Sequence, residues 1–268
     1  MNVVVIVLAL AFCLWLFSFV KRRDLRRKLL TTKLSAKDRA TIVQQVPILA
    51  KLPTEFHAAL EGKVSLFLHQ VKFFGCDGLE VTDDMRLAIA AQASLLVVNK
   101  PTWYKTLRTV LIYPGAFKSQ QVQSNGFVET ISEKIRIGES WARGPVILSW
   151  AHAKKGAFID DDGHNVVIHE FAHQLDDLSG ATDGAPVLTN DQSPESWAAV
   201  FRKAYHRLVH DVEEGRETFL DSYGATAPEE FFATSVEYFF EKSKSLKEKE
   251  LTLYAELSTY FGLDPANW

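Results

Sequence analysis

Cysteine is scarce in this chain, and so is net charge. The sequence has only Cys13, in an apolar N-terminal stretch, and Cys76, isolated in FFGCDG. A disulfide framework is therefore excluded, and a reducing compartment is the simpler expectation. Thirty Lys and Arg residues nearly balance 33 Asp and Glu residues, and the formal charge of -3 gives no reason to expect a nucleic acid as partner.

Repeats and low-complexity linkers are also missing from the 268 residues. Nothing therefore divides the sequence after its N-terminal stretch. A content of 47% hydrophobic and 24% charged residues is typical of a folded globular protein. We expect residues 34–268 to form one domain.

The N-terminal stretch lacks charge from residue 2 to residue 20, where it reads NVVVIVLALAFCLWLFSFV. About twenty helical residues cross the hydrocarbon core of a bilayer. No basic residue precedes the run and KRRDLRRK follows it, which is the reverse of a cleavable signal peptide. The pattern predicts a transmembrane anchor over residues 1–20 and a basic juxtamembrane segment over 21–33. The positive-inside tendency then predicts a single-pass protein of the cell membrane, with residues 34–268 facing the cytoplasm.

Local patterns after this stretch predict a mixed α+β fold. Residues 82–98 are typical of a buried helix that Thr82 caps. Short segments rich in β-branched residues, each ended by Gly or Pro, begin near residues 109, 134 and 144 and predict a small sheet. Helical stretches over 197–214, 228–242 and 247–261 predict a helical C-terminal part.

The segment NVVIHEFAHQLD, residues 165–176, places two histidines four residues apart in an apolar run. Such positions lie on one face of a helix about 6 Å apart, whereas on a strand they stand about 13 Å apart. Only a helix lets the rings of His169 and His173 reach one metal ion. With Glu170 beside the first ring, the segment has the His-Glu-x-x-His arrangement of zinc metallopeptidases.

Each residue of this arrangement has a chemical task. Two neutral imidazoles hold Zn²⁺ while an open coordination position takes a water, and Glu170 removes a proton from that water as it attacks a carbonyl. Two other interpretations stay open. The histidines could be buried residues satisfied by the backbone, or they could belong to a structural zinc site, although such sites normally fill all four positions with protein ligands.

A second pair, His206 and His210 in HRLVH, has the same spacing. Arg207 stands where the base should be, and its charge would repel both the metal ion and the attacking water. We therefore interpret the second pair as ordinary residues of a helix surface.

A catalytic zinc ion needs a third protein ligand from elsewhere in the fold. In DSYGATAPEEFFATSVEYFFE, Pro228 suits the first turn of a helix, on which Glu230 and Glu237 share one face. Spacing alone does not choose between these two carboxylates. Asp176, three residues after His173, either hydrogen-bonds a ligand imidazole or simply ends its helix.

Together with MRLAIAAQASLLV, VLIYPGAF and GESWARGPVILSW, these segments resemble the Mlc titration factor A family of zinc-dependent peptidases, over nearly all of the chain after residue 33. The resemblance implies a zincin-like fold, Zn²⁺ held by His169, His173 and Glu230, and aminopeptidase-like action on small peptides. It also implies that Tyr223 stabilises the transition state, and that a strand over 146–150 lies at the sheet edge and pairs with extended substrate.

Two functions follow from the residues and the resemblance. The first is a membrane-anchored zinc peptidase acting on a peptide or protein substrate. The second is a membrane-attached binding module that sequesters a transcriptional regulator, because the family binds a sugar-responsive repressor, with peptide cleavage incidental.

Overall fold

The computed structural model describes the backbone except at residues 1, 125–128 and 141–143, and the side chains except those of residues 1–4, 6, 9, 118–136 and 141–143. The helices are α1 (Asn2–Leu30), α2 (Ala36–Gln45), α3 (His57–Gln70), α4 (Asp83–Leu95), α5 (Trp150–Phe158), α6 (Val166–Asp176), α7 (Pro194–Glu213), α8 (Pro228–Glu241), α9 (Ser243–Lys249) and α10 (Leu251–Phe261). The strands are β1 (Lys72–Gly75), β2 (Thr109–Tyr113), β3 (Phe117–Ser124), β4 (Glu129–Arg136), β5 (Gly138–Ser140) and β6 (Val146–Ser149). Short 3-10 turns cover Pro47–Ala50, Thr54–Phe56, Asp177–Ser179, Ser222–Ala225 and Pro265–Asn267.

Four strands form a small sheet in the order β1-β2-β6-β5. The first three are parallel, and β5 runs antiparallel to β6, with Gly138 opposite Leu148. Val110 and Val146 are adjacent and fully buried, as expected for the centre of a parallel sheet. Strands β3 and β4 form a separate antiparallel pair.

Helix α6 lies between α8 and the sheet and also contacts α4 and α5. Phe171, on α6, is fully buried and packs edge-on against Phe67 and Tyr104, with ring centroids 5.5 and 5.2 Å away. Burying a side chain of this size contributes about 1.5–3 kcal/mol to the free energy of unfolding. Apolar packing therefore fixes the helix that also carries the polar motif.

The mixed architecture with a small sheet and a helical C-terminal part agrees with the expectation from the sequence. Thr82 caps α4 by accepting a hydrogen bond from the backbone N–H of Met85. The last predicted helix is two helices, α9 and α10, because the chain leaves the helical conformation at Glu250.

The N-terminus differs from the prediction. The apolar run and the basic segment form one continuous helix, α1. Among the residues described, no helix combines the length and the hydropathy needed to cross a bilayer. The predicted anchor over 1–20 is therefore wrong, and so is the single-pass location in the cell membrane that depended on it.

The C-terminal end of α1 is attached to the domain. A Cβ on Gly62 of α3 would come within 2.0 Å of the carbonyl oxygen of Leu30, so only glycine permits this approach of the two helices. Leu29 and Leu30 pack against the main core. The basic segment is thus continuous with the folded domain through its last turn.

Candidate metal centre

Helix α6 begins at a cap that is itself firmly held. The side-chain oxygen of Asn165 accepts hydrogen bonds from the backbone N–H groups of Val167 and Ile168, both at 3.1 Å. Its amide nitrogen donates to Gln92 at 2.8 Å and to Glu241 at 3.0 Å. The first two contacts satisfy two of the free N–H groups of the first turn, which favours a helix through the β-branched residues after Asn165.

The helix presents both motif histidines to the same point. Their ring centroids lie 4.9 Å apart, and the Nε2 atoms of His169 and His173 face each other at 3.2 Å. The two side chains are only 12% and 10% exposed. The helical spacing argument therefore describes the observed geometry.

Glu230, in the first turn of α8, completes a set of three. Its Oε2 lies 2.9 Å from Nε2 of His169 and 3.4 Å from Nε2 of His173. Two ligands about 2.05 Å from a tetrahedral ion lie about 3.3 Å from each other, close to all three separations observed. Within the described part of the chain, these three residues are the group of His, Cys, Asp and Glu side chains whose ligand atoms could share one metal ion.

The electrostatics of this group favour a cation. Burial by itself would raise the pKa of Glu230, but hydrogen bonds and charge from the two histidines outweigh it and hold that pKa well below its usual range. Burial would lower the pKa of His169, yet the charge of Glu237 and hydrogen bonds with both glutamates raise it well above the ordinary value. The donor set of two imidazoles and one carboxylate fits Zn²⁺.

Glu237 faces the opposite side of the first ring. Its Oε1 lies 2.8 Å from Nδ1 of His169, and its Oε2 accepts a hydrogen bond from the backbone N–H of Asn165. The two glutamates that the sequence could not tell apart therefore occupy different positions. Glu230 lies on the Nε2 side of His169, and Glu237 on the Nδ1 side.

Glu170 is buried, with 5% of its surface exposed, and lies against strand β5. A Cβ on Gly138 would come within 2.2 Å of its Oε1, so the carboxylate occupies space that a side chain there would fill. Burial raises the pKa of Glu170 to about 7, against the lowering effect of both histidines. No pattern in the sequence pointed to Gly138 as part of the site.

Tyr223 lies over the first histidine, with its ring centroid 5.9 Å from that of His169. It belongs to the 3-10 turn Ser222–Ala225 before α8 and is 52% exposed. About half of the Tyr223 surface is therefore open to solvent beside the His169 ring.

Asp176 is fully buried at the end of α6. One of its oxygens accepts a hydrogen bond from the backbone N–H of Gly184 at 2.6 Å, while Oδ1 and the Nδ1 of His173 are buried with no hydrogen-bond partner. Asp176 therefore ties α6 to the loop that follows it. A hydrogen bond donated by the His173 ring to Asp176, one of the two roles expected for this carboxylate, is absent.

The strand expected at the sheet edge is an interior one. Strand β6 pairs with β2 on one side and with β5 on the other. Among the described strands, β5 is the edge strand next to α6, and its Ser140 accepts a hydrogen bond from Gln174 at 2.7 Å. The edge position predicted for 146–150 is therefore wrong, because three residues of β5 cover that strand.

The second histidine pair lies apart from this centre. His206 and His210 are exposed on α7, and Arg207 forms an ion pair with Glu250. Neither histidine belongs to the group of converging ligand atoms. This agrees with their interpretation as surface residues.

The fold and the site together define a metal-binding protein of the His-Glu-x-x-His class. Residues 20–262 match the family described as glucose-regulated metallopeptidase M90, and the chain belongs to that family. An uncharacterised protein of Synechocystis sp. is 37% identical over 270 aligned residues, which cover 98% of each chain.

Proteins named Mlc titration factor A are also similar to this chain. The one from Pectobacterium atrosepticum is 31% identical over 230 residues, and the one from Escherichia fergusonii is 28% identical over 224 residues. Each alignment covers 82% of this chain and 84% of the relative. The resemblance noted from the sequence motifs is confirmed.

Proposed function

We propose that this protein is a zinc-dependent peptidase in which His169, His173 and Glu230 hold the metal ion. The observation that carries the proposal is the convergence of two Nε2 atoms and one carboxylate oxygen, with mutual separations of 2.9, 3.2 and 3.4 Å. Membership of a metallopeptidase family supports it. Bound at this point, Zn²⁺ would act as a Lewis acid that activates water and polarises a peptide carbonyl.

The protein's own residues would handle the protons. Glu170 takes a proton as water attacks the carbonyl carbon and then gives it to the departing amine, so it acts first as base and then as acid. The phenol of Tyr223 would donate a hydrogen bond to the developing oxyanion, a contact worth about 3 kcal/mol in comparable sites. Its accessible position over His169 supports that role.

The outer edge of β5 would bind the substrate backbone. Because β5 is the edge strand beside α6 among the described strands, an extended peptide can add to it through main-chain hydrogen bonds. Such contacts recognise a peptide without selecting its side chains. We further propose aminopeptidase-like action on small peptides. Matched fluorogenic peptides with free and acetylated N-termini test this, since an aminopeptidase cleaves only the first.

Two variants separate the chemical roles. Glu170→Gln should retain one zinc ion per chain and lose peptide hydrolysis, because an amide cannot accept the proton. Glu230→Ala should lose both zinc and hydrolysis. Metal analysis by mass spectrometry and a fluorogenic-peptide assay on the same samples give the answer. Full activity in Glu170→Gln would refute the assigned role, and chelator-induced unfolding without hydrolysis of any peptide would instead indicate a structural metal site.

A second function is suggested by the relatives named Mlc titration factor A, whose name refers to titration of Mlc. In this alternative the chain sequesters a transcriptional regulator and peptide cleavage is incidental. A pull-down with purified Mlc-type regulator that is unchanged in Glu170→Gln, together with rescue of a deletion phenotype by that variant, would favour sequestration. Loss of rescue with retained binding would favour the peptidase.

A further inference from the structure

The carboxylate of Glu237 joins the first motif histidine to the start of its own helix. Oε1 lies 2.8 Å from Nδ1 of His169, and Oε2 accepts from the backbone N–H of Asn165, the N-cap of α6. Glu237 is 7% exposed, so water hardly competes for either oxygen. One side chain of α8 therefore fixes both a ring and the backbone beneath it.

The chemistry of the two partners determines the direction of both hydrogen bonds. A backbone N–H can only donate, so Oε2 must accept. An ionised carboxylate has only acceptors to offer, so Oε1 accepts as well and Nδ1 of His169 carries a hydrogen. Nε2 of the same ring points to Glu230 and His173. A metal ion bound there would take the Nε2 lone pair, so Nδ1 would keep the only hydrogen on the ring nitrogens.

This arrangement also explains why Glu237 is unsuited to be a metal ligand itself. Both of its oxygens have partners on the side of the ring away from the converging atoms. Two glutamates of one helix thus hold the same imidazole from opposite sides. The ring of His173 has no such support among the described residues, because its Nδ1 is buried without a partner.

We propose that Glu237 is a positioning residue of the metal centre, which holds His169 in the tautomer and orientation that present Nε2 to zinc. The inference rests on the proposed function, because it assumes that His169 is a zinc ligand. Carboxylates behind a metal-binding histidine typically change metal affinity by about 10- to 100-fold when they are removed. The same range is expected here.

Glu241 offers a matched control, one helical turn further along α8. Its two oxygens accept hydrogen bonds from the side chain of Asn165 and from the backbone N–H of Gly163, both at 3.0 Å. Glutamine at either 237 or 241 places an NH₂ group against a donor at the N-terminal end of α6. Both variants should therefore lose stability, but only Glu237 has a hydrogen bond to a histidine.

The experiment measures zinc affinity by competition with a chromogenic chelator for wild type, Glu237→Gln, Glu241→Gln and Glu230→Ala. We expect Glu237→Gln to bind zinc about 10- to 100-fold more weakly than wild type and Glu241→Gln to bind it nearly as tightly. The visible spectrum of the Co²⁺-loaded protein should change only in the first of these two. Equal affinities and spectra for wild type and Glu237→Gln would overturn the inference.

Two further results keep the test decisive. If Glu230→Ala binds zinc like wild type, the proposed function itself fails, whereas weak binding in Glu230→Ala with normal binding in Glu237→Gln rejects only the positioning role. If Glu237→Gln does not fold, the ¹⁵N spectrum of the zinc-loaded wild type gives the tautomer directly. A proton on Nδ1 of His169 supports the inference, and a proton on Nε2 contradicts it.

Discussion

Helices α6 and α7 each carry two histidines four residues apart, yet their surroundings differ completely. His169 and His173 are nearly buried, and Glu230 reaches both rings from α8. His206 and His210 are exposed. Arg207 occupies the position that Glu170 has in the first pair, and it forms an ion pair with Glu250. Equal spacing therefore does not make equal sites. The difference comes from α8, which brings the carboxylate of Glu230 to the rings of the first pair.

The largest expected effect comes from removing one ring from each pair. His173→Ala should abolish stoichiometric zinc binding and peptide hydrolysis, because two ligands hold Zn²⁺ far more weakly than three. His210→Ala should leave both unchanged. Metal analysis and the peptide assay on the two variants check this. Similar zinc loss in both variants would contradict the distinction between the pairs.

The residue that follows the first histidine of each pair also differs, since Glu170 packs against β5 and Arg207 is exposed to solvent. Gly138→Ala places a methyl group within 2.2 Å of the Oε1 position of Glu170. Displacing a catalytic group by about 1 Å can cost about 100-fold in rate. We expect kcat to fall by about that factor while zinc content stays at one per chain. An unchanged kcat would show that Gly138 does not set the position of the base.

The caps of the two helices differ as well, because buried Glu241 holds the cap of α6 whereas exposed Ser193 caps α7. Burial raises the pKa of Glu241 to about 9. The folded state therefore binds this proton more tightly than the unfolded state, and that stabilisation is lost as pH rises from the ordinary value of 4.5 towards 9.

Glutamine does not titrate, so the stability deficit of Glu241→Gln relative to wild type should shrink as pH rises, by at most about 1.4 kcal/mol per pH unit. Urea unfolding of both metal-free proteins, at several pH values between 4.5 and about 9, measures the change. Parallel stability curves would contradict an elevated pKa for Glu241.

The smallest expected effect tests the comparison in reverse. Arg207→Glu gives the second pair the complete His-Glu-x-x-His pattern. We expect no additional zinc, because the group of converging ligand atoms found in the described part of the chain includes no residue of α7. Zinc analysis of the variant should still give one ion per chain. A second equivalent would show that the motif alone is sufficient.

The sequence predicted the helix and its facing histidines, because there a local pattern has only one geometric outcome. Two histidines four apart can share a metal ion only on a helix, and α6 is one. The small sheet and the C-terminal helices also followed from local periodicity. The roles assigned to His169, His173, Glu230, Glu170 and Tyr223 remain predictions for the experiments above.

The remaining features depend on contacts between distant segments. Glu230 and Glu237 share a face of α8, and only the packing of α8 on α6 places them at opposite nitrogens of one ring. Strand β5 has three residues, too few for an alternating pattern, so its edge position was missed. The N-terminal prediction counted uncharged residues, but among the residues described no helix is long and apolar enough to cross a bilayer.

The most direct test of the metal centre is a crystal of the zinc-loaded protein measured on both sides of the zinc absorption edge. We predict one anomalous peak, bonded to Nε2 of His169, Nε2 of His173 and a carboxylate oxygen of Glu230, with Glu237 remaining on Nδ1 of His169. A peak at His206 and His210, or no peak between α6 and α8, would contradict it.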